Sequence, residues 1–200
     1  MCQLIETIQV KNIQFRNLEY HDRRLNNARR ILFGCKSDIP LEEHLALPSN
    51  LDDKTYKCRI EYSKDIHGIE FSSYTPKKIK KLKLVECNFI DYSFKYRNRE
   101  IFEKLLLQRD DCDEILIVKN GKITDTSFTN IVFQTKTGSW VTPARPLLKG
   151  TMREYLLDHN LIFLSDIGIG NLKHFNKAIL INSMLDFYSD FTIKINNIIG

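Results

Sequence analysis

One dipeptide constrains this chain more than any other feature. Asn120-Gly121 stands between two short runs of apolar alternation, Glu114 to Lys119 and Lys122 to Thr124. The commonest two-residue hairpin loops include the type I′ turn, which needs positive φ at both central positions, and Asn followed by Gly tolerates that best. The segment therefore predicts an antiparallel hairpin, and the fold must supply a sheet for it. Further strands are predicted at Cys2 to Val10, Ile13 to Arg16, Tyr56 to Tyr62, Ile69 to Tyr74 and Ile79 to Val85. A second strand pair brackets Thr137-Gly138-Ser139 and leads into Trp140-Val141-Thr142-Pro143. Later strands end at Ser165 and span Ala178 to Asn182.

Helical periodicity is confined to a few stretches. Tyr20 to Phe33 places Leu25, Ala28, Ile31 and Leu32 on one face, and Gly34 follows as a stop. Pro40 opens a short helix through Leu47, with Glu42 and Glu43 in its first turn, where the helix dipole favours carboxylates. Arg97 to Gln108 reads as a helix with Ile101, Leu105 and Leu106 inward, and another helix follows Gly150. Strands and helices in this order give an α+β class in two domains, residues 1–88 and 89–200.

Composition removes several alternatives. Hydrophobic residues make up 42% of the 200, enough for a core that needs neither disulfide nor metal. The five cysteines form no C-x-x-C pair and no histidine stands at zinc-ligand spacing, so no metal site is expected. With no signal peptide visible, they read as reduced thiols of a cytoplasmic protein. No apolar run is long enough to cross a bilayer, so no membrane partner is expected. The net charge of +5 is spread along the chain apart from Lys77 to Lys83, which reads as a solvated strand edge rather than a nucleic-acid surface.

Three places could carry chemistry. Lys95 lies among aromatics in Asp91-Tyr92-Ser93-Phe94-Lys95-Tyr96, at the predicted start of a helix, where partial burial would make its amine available for carbonyl chemistry. Asp125 opens the hydroxyl-rich run Asp125-Thr126-Ser127-Phe128-Thr129-Asn130, which could equally be a hydrogen-bonded turn. Gly150-Thr151-Met152 begins a helix whose free N–H groups suit a phosphate.

Taken in order, these segments resemble the class IV aminotransferase and aminodeoxychorismate lyase superfamily, the fold-type IV enzymes that use pyridoxal 5'-phosphate (PLP). Lys95-Tyr96-Arg97-Asn98 resembles the K-x-x-N segment around the Schiff-base lysine. Asp113-Glu114-Ile115-Leu116 resembles the D-E-a-l strand, and Thr124-Asp125 through Asn130-Ile131-Val132-Phe133 the T-E-x-x-x-x-N-l-f segment. Trp140-Val141-Thr142-Pro143 is similar to the strand ending in T-P. Leu148-Lys149-Gly150-Thr151-Met152-Arg153 is similar to L-x-G-x-x-R, His21-Asp22-Arg23-Arg24-Leu25 to H-x-x-R-L, and Ile181-Asn182-Ser183-Met184 to the N-S/A-L/M segment of the lyases.

The resemblance implies a small N-terminal α/β sandwich and a larger C-terminal pseudo-barrel, like D-amino acid aminotransferase, assembled as a homodimer. It implies Lys95 as the lysine holding PLP and as the acid/base. Arg24 and the N–H groups of Thr151 and Met152 would hold the phosphate, with Thr151 or Ser183 adding a hydroxyl. Asp125 would stand beside the pyridine nitrogen, where the family usually has Glu, and Asn130 would shape the turn that carries it. The family's D-R-G-x-x-Y-G-D-G loop has no counterpart here, and the chain begins near its F-E-T segment, as Ile5-Glu6-Thr7. The leading expectation is an aminodeoxychorismate lyase. The alternatives are an aminotransferase for branched-chain or D-amino acids, or a non-catalytic binding protein that keeps the fold.

Overall fold

The computed structural model describes residues 3–187 and 192–200, and the chain forms two compact units. The first comprises Met1–Pro76 together with Phe94–Asn98, and the second Lys77–Ser93 with Arg99–Gly200. The sequence suggested a single crossing at 88/89. The crossing lies earlier, because the strand Leu82–Glu86 pairs parallel with Glu114–Lys119 of the second unit. The Lys95 segment returns to the first unit, because it pairs with that unit's first strand.

The first unit is a four-stranded antiparallel sheet with one long helix. Its strands are β1 (Leu4–Lys11), β2 (Gln14–Phe15), β3 (Tyr56–Tyr62) and β4 (Ile66–Ser73), in the order β2-β1-β3-β4. Asn12 and Ile13 make the β1–β2 turn at φ 52° and 56°, the left-handed values of a type I′ loop. Helix α1 (Leu18–Phe33) ends at Gly34, whose φ of 66° lets its N–H return to the carbonyls of Arg29 and Arg30. A single turn, α2 (Leu41–His44), follows.

Leu4, Ile8 and Val10 of β1, Cys58, Ile60 and Tyr62 of β3, and Leu25 and Ala28 of α1 share one core. Burying each such aliphatic side chain contributes roughly 1.5–3 kcal/mol. Leu25→Ala would remove about 2–5 kcal/mol. Ile31, expected to face inward, is 63% exposed, because the buried face of α1 runs through Tyr20, His21, Leu25, Ala28 and Arg29 instead.

The second unit holds two further sheets. In one, β5 (Leu82–Glu86), β6 (Glu114–Lys119) and β7 (Lys122–Thr126) are joined by β13 (Ile198–Ile199), in the order β13-β5-β6-β7. Asn120 and Gly121, at φ 51° and 72°, make the β6–β7 turn. The other sheet contains β8 (Asn130–Thr135), β9 (Trp140–Pro143), β10 (Phe163–Ser165), β11 (Phe175–Ile181) and β12 (Thr192–Lys194), in the order β10-β9-β8-β11-β12. The two sheets share a core that includes Leu82, Leu116, Val118, Ile123, Ile131, Phe133, Ala178 and Leu180. Helix α4 (Thr151–Asp158) packs Met152 and Leu156 against Val132, Ile179 and Ile181.

Helix α3 (Glu100–Leu106) is shorter than Arg97 to Gln108, so Lys95 lies in extended chain before it rather than at a helix start. The lysine run is not a strand edge either, since β5 begins at Leu82 and lies inside its sheet. Its charges are answered locally: Lys81 pairs with Asp111, Lys83 with Asp110, and the Asp113 carboxylate accepts the N–H groups of Lys80 and Lys81. Among the described residues no helix is long and apolar enough to cross a membrane.

Candidate active site

Strand parity explains the polar centre of the first unit. Leu4, Glu6 and Ile8 alternate onto the core face of β1, so a carboxylate stands where an aliphatic side chain would ordinarily go. A buried carboxylate is tolerable only if it is paired and hydrogen-bonded. Helix α1 supplies both partners from one turn, at positions i and i+3. His21 Nδ1 lies 2.6 Å from Glu6 Oε2. Arg24 donates from Nε to Oε1 at 2.8 Å and from Nη2 to Oε2 at 2.5 Å.

Burial alone would raise the Glu6 carboxyl, but Arg24 and His21 together outweigh it and hold it down at about 2. His21 moves below its ordinary value, first because it is buried and then because Arg24 and Lys95 are nearby cations, although Glu6 opposes the shift. A neutral imidazole that donates its Nδ1 proton to Glu6 satisfies this arrangement.

Lys95 joins the same cluster. Its carbonyl accepts the N–H of Ile5 at 3.0 Å, Tyr96 bridges Leu4, and Arg97 N–H reaches Gln3 O at 2.9 Å. The segment is thus held against the start of β1 by an isolated antiparallel bridge and two flanking main-chain hydrogen bonds. The side chain is half-buried, and its charge reaches His21. The structure therefore gathers two of the predicted residues, Lys95 and Arg24, around two that were seen only as parts of motifs, Glu6 and His21. A lone Glu between apolar residues of a strand, together with H-x-x-R on an amphipathic helix, is the signal that could have found them.

In the second unit, Asp125 is the next-to-last residue of β7 and Asn130 the first of β8. The intervening turn is closed by Thr126 N–H to Thr129 O at 3.0 Å and by the two threonine hydroxyls at 2.7 Å. The hydroxyl-rich run is therefore a hydrogen-bonded turn, and the carboxylate and the amide flank it. Asp125 Oδ1 accepts Asn130 Nδ2 at 2.7 Å, and Oδ2 accepts the N–H groups of Leu147 and Leu148 at 2.8 and 2.9 Å. Burial pushes the Asp125 carboxyl up to about 6, although the Leu148 N–H, Asn130, Arg153 and Leu147 all pull the other way.

Gly150 is the N-cap of α4 and offers no side-chain cap, so the first turn presents main-chain N–H groups. The Met152 side chain is buried in the core beneath the helix, which leaves that residue's main chain for any ligand contact. Arg153 is buried, donates to Pro143 O at 3.0 Å and to Glu154 at 2.6 Å, and thereby fastens α4 to the end of β9. Ser183 lies in a turn that Asn182 ties to Phe128 O at 3.3 Å, next to the Asp125–Asn130 turn.

Each unit by itself could hold part of a phosphorylated pyridine aldehyde. The first unit carries a primary amine beside a fixed guanidinium, and the second carries a buried carboxylate near a helix start without a side-chain cap. The Asp125 oxygens have about four acceptor sites and use three, so one remains for a protonated ring nitrogen. A cation there would relieve the burial that raises its pKa.

The likeness to known proteins indicates an enzyme of the PLP-using kind. Residues 3–189 match the family amino-transferase class IV, and the chain belongs to that family, whose members depend on PLP. It is similar to an uncharacterized protein of Haemophilus influenzae, with 35% identity over 92% of this chain and 98% of that one. It also resembles the crystal structure of a candidate 4-amino-4-deoxychorismate lyase from Haemophilus somnus, with 33% identity, 92% and 97% coverage and a TM-score of 0.83. A hypothetical aminotransferase from Mycobacterium tuberculosis, solved with PLP bound, shares the fold at 16% identity, 91% and 78% coverage and a TM-score of 0.75.

Proposed function

We propose that this chain is a PLP-dependent 4-amino-4-deoxychorismate lyase, forming 4-aminobenzoate and pyruvate, with a place in folate synthesis in the cytoplasm. The observation that carries the substrate assignment is the likeness to the Haemophilus somnus protein along nearly the whole of both chains. A shorter likeness agrees with it: 99 residues are 32% identical to a candidate aminodeoxychorismate lyase of Schizosaccharomyces pombe, covering 44% of this chain and 42% of that one.

Bound PLP supplies an electron sink next to the carbon that bears the substrate amine. In this reading Lys95 holds the cofactor through its amine. The same amine would take the proton from that carbon, while the enolpyruvyl group would leave as an enolate and take up a proton to give pyruvate, and the substrate ring would become aromatic. Arg24 binds the phosphate, held in one orientation by Glu6. The N–H groups of Thr151 and Met152 bind it from the start of α4, with the Thr151 or Ser183 hydroxyl beside them. Asp125 keeps the ring nitrogen protonated, and Asn130 orients Asp125.

The test is direct. Purified protein is incubated with PLP and 4-amino-4-deoxychorismate, and 4-aminobenzoate and pyruvate are measured in equal amounts. No product above background, together with formation of pyridoxamine phosphate from an amino-acid panel, would replace the lyase by an aminotransferase. The proposed homodimer is tested by sedimentation of the same sample.

A further inference from the structure

Asp125 does more in this chain than face a ring. Its Oδ2 accepts two consecutive main-chain N–H groups, from Leu147 and Leu148. The amide of Asn130 completes the fastening: Nδ2 donates to Asp125 Oδ1 at 2.7 Å and to Leu148 O at 2.9 Å. The N–H of Leu148 is thus held by Asp125 and its C=O by Asn130. Two residues later comes Gly150, the N-cap of α4. A Cβ at Gly150 would lie 2.0 Å from Asn130 Oδ1, so the glycine and the amide are fitted against each other. Both Asp125 and Asn130 are 5% exposed, so water cannot replace what either of them loses.

A carboxylate that serves only a ring nitrogen needs one acceptor site. This one spends most of its capacity on the turn that leads into α4. We propose that Asp125 is a positioning residue for the phosphate end of the cofactor: through Leu147, Leu148 and Asn130 it fixes the 147–150 turn, and so the first N–H groups of α4. The inference rests on the PLP reading above and deepens it, because it makes one side chain answer to both ends of the ligand.

The experiment compares pyridoxal with PLP. The two share the aldehyde and the ring nitrogen and differ in the phosphate. Apo-protein is titrated with each, and the ratio of affinities reports the phosphate contacts alone. Asp125→Asn replaces one acceptor oxygen by a donor, so that either the two backbone N–H groups or the Asn130 amide must face another donor. The expected result is a fall in the PLP-to-pyridoxal ratio of at least about tenfold, beyond any loss common to both ligands. An unchanged ratio would mean that Asp125 acts at the ring only, and the proposal would be overturned.

A second readout needs no cofactor. Amide hydrogen exchange at Leu147 and Leu148 of apo-protein should accelerate by about ten- to a hundredfold in the variant. Exchange as slow as in the parent protein overturns the fastening. If Asp125→Asn does not fold, Asn130→Ala takes its place with the same two readouts and the same expected directions. Parent protein that binds neither aldehyde would sink the cofactor reading, and the exchange measurement would still decide the fastening separately.

Discussion

The Arg24 guanidinium and the Glu6 carboxylate meet in a fork, Nε on Oε1 at 2.8 Å and Nη2 on Oε2 at 2.5 Å, with Glu6 fully buried. Two parallel bonds fix the plane of the guanidinium as well as its position. The pair is therefore a device for aiming a charge, and its acid–base behaviour follows from its burial.

Glu6 titrates at about 2 in the fold, against an ordinary 4.5. A lowered carboxyl contributes stability that is fully present above its unfolded value and is lost as pH falls through the folded one. The contribution is on the order of 3 kcal/mol. Glu6→Gln should weaken the protein at neutral pH by about 2–3 kcal/mol, since Arg24 keeps some solvent contact. It should also flatten the loss of stability between pH 4.5 and 2. Urea unfolding across that range measures both, and a parallel, merely shifted acid limb would contradict the assignment.

Asp125 behaves in the opposite sense. Its folded value of about 6 lies above the ordinary 3.8, so its stabilising influence is complete below 3.8 and is lost as pH rises through 6. Carbon-13 NMR of the side-chain carboxyl in apo-protein should show a titration near 6. Bound PLP should bring that midpoint down, because a protonated ring nitrogen favours the anion. A midpoint near 3.8 in apo-protein would refute the burial argument.

Gly150→Ala should cost about 1–3 kcal/mol through overpacking alone, since its φ of −71° suits any residue and only the Asn130 contact forbids the methyl. Adding Asn130→Ala should recover part of that loss, so the double variant is more stable than the sum of the two single effects. Thermal unfolding of the four proteins in the cycle tests this, and strict additivity would show that the two positions do not meet.

Lys95→Ala should abolish the yellow colour given by PLP and the borohydride-stable adduct that mass spectrometry finds on the peptide containing position 95. An adduct retained on another lysine would move the cofactor's attachment point.

Much of this was visible in the sequence where the signal is local. Asn120-Gly121 makes its turn at the expected φ values, Gly34 ends α1, and β3 and β6 span the predicted residues. What escaped is non-local. The segment around Lys95 has helical composition on its C-terminal side, yet it pairs with β1 through contacts some ninety residues away in sequence, which no short-range periodicity records. The same holds for β5, whose parallel partners are β6 and β13. Glu6 looked like an ordinary polar residue until the helix that answers it was placed above it. Ile31 was expected inward because it is apolar, but Arg29 occupies the inner face by bonding Lys64 O, Ser37 O and Asn26.

The path of the chain around Lys95 has a consequence for anyone who recombines relatives of this protein. The lysine comes after the later unit has begun but belongs to the earlier unit, with residues of the later unit on either side of it in sequence. A chimaera joined at Pro76 would take Glu6, His21 and Arg24 from one parent and Lys95 from the other. Its amine would then sit against a strand selected for a different neighbour, so a functional graft has to carry Phe94–Asn98 along with the first seventy-six residues.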